Sequence, residues 1–138
     1  MQIKQISVFL ENKDGRLGEV TRVLANAAIN IRAISIADTA DFGILRLIVD
    51  KNDAAIDALT KAGFTTRLTD VVAVEVGDTP GSLAAVMELF RSARVNIEYL
   101  YASLEGQVGK AVVIFKLENF ERGLKLVKDN GLSVVDTF

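Results

Sequence analysis

The chain contains no cysteine and no histidine. Without cysteine there can be no disulfide, thiol nucleophile, iron–sulfur cluster or thiolate zinc site. Without histidine the usual general base at neutral pH and the commonest metal ligand are missing, and a Ser-His-Asp triad is impossible. Tryptophan is absent, and the single proline is Pro80. No apolar run approaches the roughly 20 residues of a membrane span. The opening Met1-Gln2-Ile3-Lys4-Gln5-Ile6-Ser7 has neither an apolar signal core nor a small-residue cleavage site. Sixteen basic against 18 acidic side chains leave a net charge of −2, which disfavours a broad nucleic-acid face. No GxSxG, GxxxxGK[ST] or GxGxxG string occurs, and the carboxylates, lysines and tyrosines fall into no catalytic pattern. The expectation is a cytoplasmic binding protein rather than an enzyme, with no metal, cofactor, membrane or nucleic acid.

What is present is a globular balance, 50% hydrophobic and 25% charged over 138 residues, written twice. At an offset of 66, Gly15-Arg16-Leu17 falls on Gly81-Ser82-Leu83, Val8 on Val74, Leu10 on Val76, Val20 on Val86, Leu24 on Phe90, Asn30-Ile31 on Asn96-Ile97 and Gly43 on Gly109. Past the third strand the offset becomes 68, with Ile56 on Leu124, Leu59 on Val127 and Gly63 on Gly131. Residues 1–69 and 70–138 therefore read as two copies of one fold.

Each copy passes through the same periods. Ile6, Val8 and Leu10 alternate as a half-buried strand, and Leu17, Val20, Leu24 and Ala27 make an apolar helical stripe. Ile31 to Ala37 is a second strand, Asp38 to Asp41 a turn, and Phe42 to Val49 a third strand. Asn52 or Asp53 can cap a helix carrying Ile56, Leu59 and Ala62, Gly63 suits its end, and Thr65 to Thr69 is a fourth strand. The second copy repeats the series: Val72 to Val76, a helix striped by Leu83, Val86, Phe90 and Ala93, Ile97 to Ser103, a turn at Glu105-Gly106, Ala111 to Phe115, a helix with Phe120, Leu124 and Val127, and Ser133 to Thr137. The order βαββαβ, twice, predicts an α+β protein. Its two ferredoxin-like units in tandem have antiparallel sheets with the helices on one face. Only Thr69-Asp70 separates the copies.

The turn between first strand and first helix is the informative segment. It reads Glu11-Asn12-Lys13-Asp14-Gly15-Arg16-Leu17 in one copy and Gly77-Asp78-Thr79-Pro80-Gly81-Ser82-Leu83 in the other. Glycine lets backbone approach a ligand, and a helix N-terminus offers free N–H groups to a carboxylate. An Asn or Asp before the turn can accept from an ammonium group. The same residues also suit plain capping, with Thr79 as N-cap, Pro80 at the first helical position and Asp14 facing the dipole. Asn30 and Asn96, which open the second strands, suit either a ligand or a left-handed helix C-cap.

Gly15-Arg16-Leu17 through Ala28-Ile29-Asn30-Ile31, and Pro80-Gly81-Ser82-Leu83 through Val95-Asn96-Ile97, resemble ACT domains, so the whole chain resembles two of them in tandem with no catalytic domain attached. The resemblance implies a ligand-sensing module for amino acids, of the kind found in phosphoglycerate dehydrogenase and aspartokinase. It implies pairing through second strands into an eight-stranded sheet, with ligand at the domain interface. The implied site is Asn12, Lys13, Asp14, Gly15, Arg16, Leu17, Asn30 and Ile31 in one copy. In the other it is Asp78, Thr79, Pro80, Gly81, Ser82, Leu83, Asn96 and Ile97. In the serine-sensing pattern of phosphoglycerate dehydrogenase one Asn lies three residues before the turn glycine and another opens the second strand; Asn12 and Asn30 match. Asp78 departs from it, because a carboxylate cannot donate to a ligand carboxylate, and Asp14 stands where proline is usual. The implied partners are a free amino acid, a metabolic enzyme and, through the edges holding Ile34, Ile36, Leu100 and Tyr101, a second chain in a homodimer.

Four readings compete. The amino-acid sensor is first. An RNA-binding tandem shares the element order but needs stacking aromatics, which Gly43 to Leu47 and Lys110 to Ile114 lack. A small enzyme of acylphosphatase type needs an Arg–Asn phosphate cradle that nothing here specifies. A structural dimerisation module, its turns serving only as caps, is the alternative to the sensor. Tyr99 and Tyr101 share a strand face and suit a pocket or interface packing.

Overall fold

A computed structural model describes residues 3–38, 41–104 and 107–138. The chain divides into two units, Lys4–Thr69 and Asp70–Phe138, with Ile3 grouped in the second. The first runs β1 (Lys4–Glu11), α1 (Arg16–Asn26), β2 (Ile31–Asp38), β3 (Phe42–Val49), α2 (Asn52–Lys61) and β4 (Thr65–Asp70). The second runs β5 (Val72–Gly77), α3 (Ser82–Ser92), β6 (Ile97–Ala102), β7 (Lys110–Leu117), α4 (Phe120–Asp129) and β8 (Ser133–Val135). The sheets are ordered β2-β3-β1-β4 and β6-β7-β5-β8. Both units are thus ferredoxin-like, as the doubled βαββαβ order predicts, and the apolar third strands are central.

Alternation places each core. Ile6, Val8 and Leu10 of β1 pack with Leu45 and Leu47 of β3 under Val20 and Leu24 of α1 and Ala55 and Leu59 of α2. Val74 and Val76, Val113 and Phe115, Val86 and Phe90, and Leu124 and Val127 do the same in the second unit. Burying each such side chain contributes about 1.5–3 kcal/mol. The Phe90 and Phe115 rings meet at 5.1 Å, tilted by 55°. On the other face of β1, Gln5 and Ser7 are also buried, and Gln5 Nε2 donates to Ser7 Oγ at 3.1 Å.

Several expectations are corrected. Val8 pairs with Leu45 and Val74 with Val113, so the offset of 66 in the first strand is already 68 in the third. The two extra residues therefore lie between β6 and β7, and Gly43 corresponds to Ala111 rather than Gly109. The expected turn residues Thr39, Ala40, Glu105 and Gly106 lie outside the described residues. Only Val71 stands between β4 and β5, because β4 continues through Asp70. Leu17 and Leu83 are exposed rather than part of the buried stripe, because each sits at the start of its helix, one turn before the first buried position. The N-cap of α2 is Lys51; Asn52 and Asp53 already lie inside the helix. Tyr101 is buried and Ile34 is partly buried against the core, so of the four expected edge residues Ile36 and Leu100 are the exposed ones.

Candidate functional site

Each first helix begins at a left-handed glycine. Gly15 has φ 84° and Gly81 φ 89°, and neither helix has a side-chain N-cap bond. Arg16 N–H donates to the Lys13 carbonyl at 3.4 Å, and Ser82 N–H to the Thr79 carbonyl at 3.2 Å. This closes a four-residue turn with a positive-φ glycine third, the type II pattern, for which proline at the second place is favoured. Pro80 and Asp14 hold that place. Thr79 is therefore not the N-cap; its hydroxyl lies 2.7 Å from Ser82 Oγ instead. The N–H groups of Leu17, Gly18, Leu83 and Ala84, at the open ends of α1 and α3, find no acceptor among the described residues.

The second-strand asparagines are not C-caps. The residues in the left-handed conformation after α1 and α3 are Ala28, φ 57°, and Arg94, φ 55°. Ile29 N–H donates to Leu24 and Val95 N–H to Phe90, each at 2.9 Å, which completes a Schellman motif in each unit. Asn30 and Asn96 come one residue later. Their backbones are used: Asn30 N–H donates to Asp50 Oδ1 at 3.0 Å, and the Asn96 carbonyl accepts from Glu118 at 3.0 Å. Their exposed side-chain amides make no hydrogen bond among the described residues.

Within one unit the two halves of the expected site are kept apart. Leu10, at the turn end of β1, pairs with Gly43, whereas Ile31 pairs with Val49. Six residues of β3 separate those levels, about 20 Å of strand. The Asn12–Leu17 turn and Asn30 therefore occupy opposite ends of one sheet, and the same register separates Asp78–Leu83 from Asn96.

The second unit carries clefts at both ends. At the turn end, one of about 290 Å³ lies between Gly77, Ser82, Ala85, Val86, Leu89 and Leu132, with Glu75 and Val76 beside them. At the other end Asn96 borders two. A polar cleft of about 540 Å³ is shared with Asp70, Arg94, Glu118, Asn119 and Arg122. An apolar one of about 560 Å³ is shared with Met87, Phe90, Val95 and Ile97. Arg122 lies along the first, donating to the Ala93 and Arg94 carbonyls that end α3. Glu88 edges the second; hydrogen bonds from Arg91 hold its exposed carboxyl below the ordinary range. Among the described residues no helix is long and apolar enough to cross a membrane.

The model for the ACT domain pair matches residues 1–137. The chain belongs to the ACT domain pair family. Among solved structures, a Bacteroides thetaiotaomicron protein is 40% identical over 99% of this chain and 93% of its own, with a TM-score of 0.92. The regulatory subunit of aspartate kinase from Thermus thermophilus is 22% identical over 93% of this chain and 91% of its own, TM-score 0.67. That from Thermus flavus is 21% identical over 94% and 92%, TM-score 0.64. These last two share the fold. No curated protein matches.

In both ACT domains the bulge was not foreseen. The register between second and third strands shifts at Arg32 in the first domain and at Glu98 in the second. A bulge re-aims side chains, and both fall two residues after the asparagine. Glu98 is ion-paired to Lys116 at 3.2 Å. The repetition of a charged residue at this offset is the only trace in the sequence. Arg16 in the first domain is already engaged, 2.9 Å from Glu19 Oε2 and stacked on Phe64.

Proposed function

We propose that this ACT domain pair is a regulatory protein that senses a free amino acid and modulates a partner enzyme of amino-acid metabolism, binding rather than catalysing. The observation that carries the reading is the release of Asn30 and Asn96 from any capping role. Their exposed side chains stand at strand starts and make no hydrogen bond among the described residues. Unpartnered N–H groups behind Gly15 and Gly81 suit a carboxylate, and the asparagine oxygens suit an ammonium group. The structural-module alternative assigns the asparagines to C-capping, a role the Schellman motifs at Ala28 and Arg94 already fill.

Because turn and asparagine sit at opposite ends of one sheet, a complete site needs two domains. Antiparallel pairing through second strands sets the start of one against the end of the other. That is the end where the neighbour's turn lies. The ligand is then gripped by residues 12–17 or 78–83 of one domain and Asn30-Ile31 or Asn96-Ile97 of its neighbour. Ile36 and Leu100, exposed on the edge strands, suit such pairing in a homodimer. The aspartate kinase regulatory subunits that share this fold support a regulatory role. Thermal-shift measurement against the twenty amino acids tests the reading. A ligand at about 100 times its Kd adds about 2.7 kcal/mol and raises Tm; no shift with any of the twenty refutes it.

A further inference from the structure

The two turns are built alike, but the side chains beside them are not. In the second domain the cleft of about 290 Å³ opens next to the turn, walled by Val76, Val86, Leu89 and Leu132, with Ser82 and Ala85 on its α3 side. The corresponding positions of the first domain follow from the register and from the paired helix endings. Arg16 stands for Ser82, Glu19 for Ala85 and Phe64 for Leu132. Phe64 N–H donates to Leu59 and Leu132 N–H to Val127, so these two residues occupy the same place after their helices. In the first domain the side chains at these three positions are larger, and they contact one another. The Arg16 guanidinium lies over the Phe64 ring at 4.7 Å, is held by Glu19 at 2.9 Å, and Phe64 is buried.

We propose that this cleft is the side-chain subsite of the second ACT domain and takes the small aliphatic side chain of a free amino acid, and that Arg16 on Phe64 plugs its counterpart in the first. The proposal rests on the amino-acid reading above and deepens it. Apart from Glu75 and Ser82 the lining is apolar, so a hydrocarbon side chain gains from leaving water there while an anionic one loses its hydration. A volume near the lower end of ligand pockets, about 300 Å³, fits a small metabolite rather than a nucleotide. Gly77 and Ser82 belong both to the cleft and to the turn, so one molecule can present its carboxylate to the N–H groups of Leu83 and Ala84 and its side chain to the cleft. The first domain's turn then serves ligands without an aliphatic side chain, and the two sites of one chain are unequal.

The test is titration of the methyl-labelled full chain with leucine, valine and glycine, followed by NMR and calorimetry. Leucine or valine should saturably move the Leu89 and Leu132 methyl resonances, leaving Val20 and Val23 of the first domain in place, at one molecule per chain. Ser82→Arg with Leu132→Phe installs the plug and should weaken leucine binding by about tenfold or more, the worth of one buried aliphatic side chain. The reciprocal variant, Arg16→Ser with Phe64→Leu, should raise the number of leucine sites from one to two, so the proposal stays testable if one variant fails to fold. Leucine affinity within twofold of the native chain in the plugged variant overturns the proposal. So does a bound amino acid that leaves the Leu89 and Leu132 methyls unmoved; the sensor reading survives both results. Binding of no amino acid at all refutes the sensor reading itself.

Discussion

The guanidinium carbon of Arg16 lies 4.7 Å from the centre of the Phe64 ring, in the place that Ser82 and Leu132 leave open in the second domain. A stacked cation of this kind is worth about 0.5–1 kcal/mol near a surface. Its larger consequence is steric, because one pair of side chains makes two domains with the same turn unequal. The exposed Lys13–Glu11 pair at 3.3 Å has no comparable effect, since such pairs contribute little.

Gly15 and Gly81 need their positive φ. An added Cβ meets nothing within 4 Å at either, so the cost of Gly15→Ala or Gly81→Ala is the left-handed backbone alone, roughly 1–2 kcal/mol. Gly18, inside α1, also has open space and no positive φ. Gly18→Ala should therefore stabilise by about 0.5–1 kcal/mol. Urea melts of the three variants check the opposite signs.

Gly123 on α4 is fixed by packing instead. A Cβ there would stand 2.1 Å from Leu117 Cδ1 and 3.5 Å from Val95 Cγ1. Leu117 is buried in the core, so its side chain would have to shift against packed neighbours. Gly123→Ala should cost about 1–3 kcal/mol through overpacking, read as a lowered urea midpoint.

Asn119 caps α4 by accepting from Arg122 N–H at 3.1 Å, and Arg122 in turn donates to the carbonyls ending α3. Asn119→Ala should lower stability by about 1 kcal/mol. In the first domain Lys51 holds the cap position without a side-chain bond, so Lys51→Ala should leave stability within about 0.5 kcal/mol. Parallel thermal melts of the two variants compare them.

The fold was legible in the sequence because its signals are periodic. Val8 with Leu10 and Val74 with Val76 alternate, and Val20 with Leu24 and Val86 with Phe90 step by four, so strand and helix faces follow from counting. Helix ends were legible where glycine marks them, at Gly63 and Gly131. They were misread where Ala28 and Arg94 take the left-handed place, because no residue preference announces an alanine or arginine there. Reading Asn30 and Asn96 as the left-handed cap residues puts each of them two positions too early. The insertion before β7 was misplaced because Gly109 matched Gly43 by identity while the strand pairing matched Ala111. For the site, the turn glycines and asparagines could be named from the sequence. The Arg16–Phe64 plug could not, since it joins residues 48 positions apart whose contact exists only once α1 and the end of α2 are packed.

The most direct test of the sensor account is calorimetric titration of the twenty amino acids into the native chain, Asn30→Ala and Asn96→Ala, beside denaturant melts of all three. A lost hydrogen bond to a charged group costs on the order of 1.5–3 kcal/mol, or roughly ten- to a hundred-fold in affinity. The account predicts that loss for the ligand that binds, in at least one of the two variants, with melting midpoints nearly unchanged, because neither side chain makes a hydrogen bond among the described residues. Unchanged affinity in both variants with lowered midpoints would contradict it and return the two asparagines to a structural role.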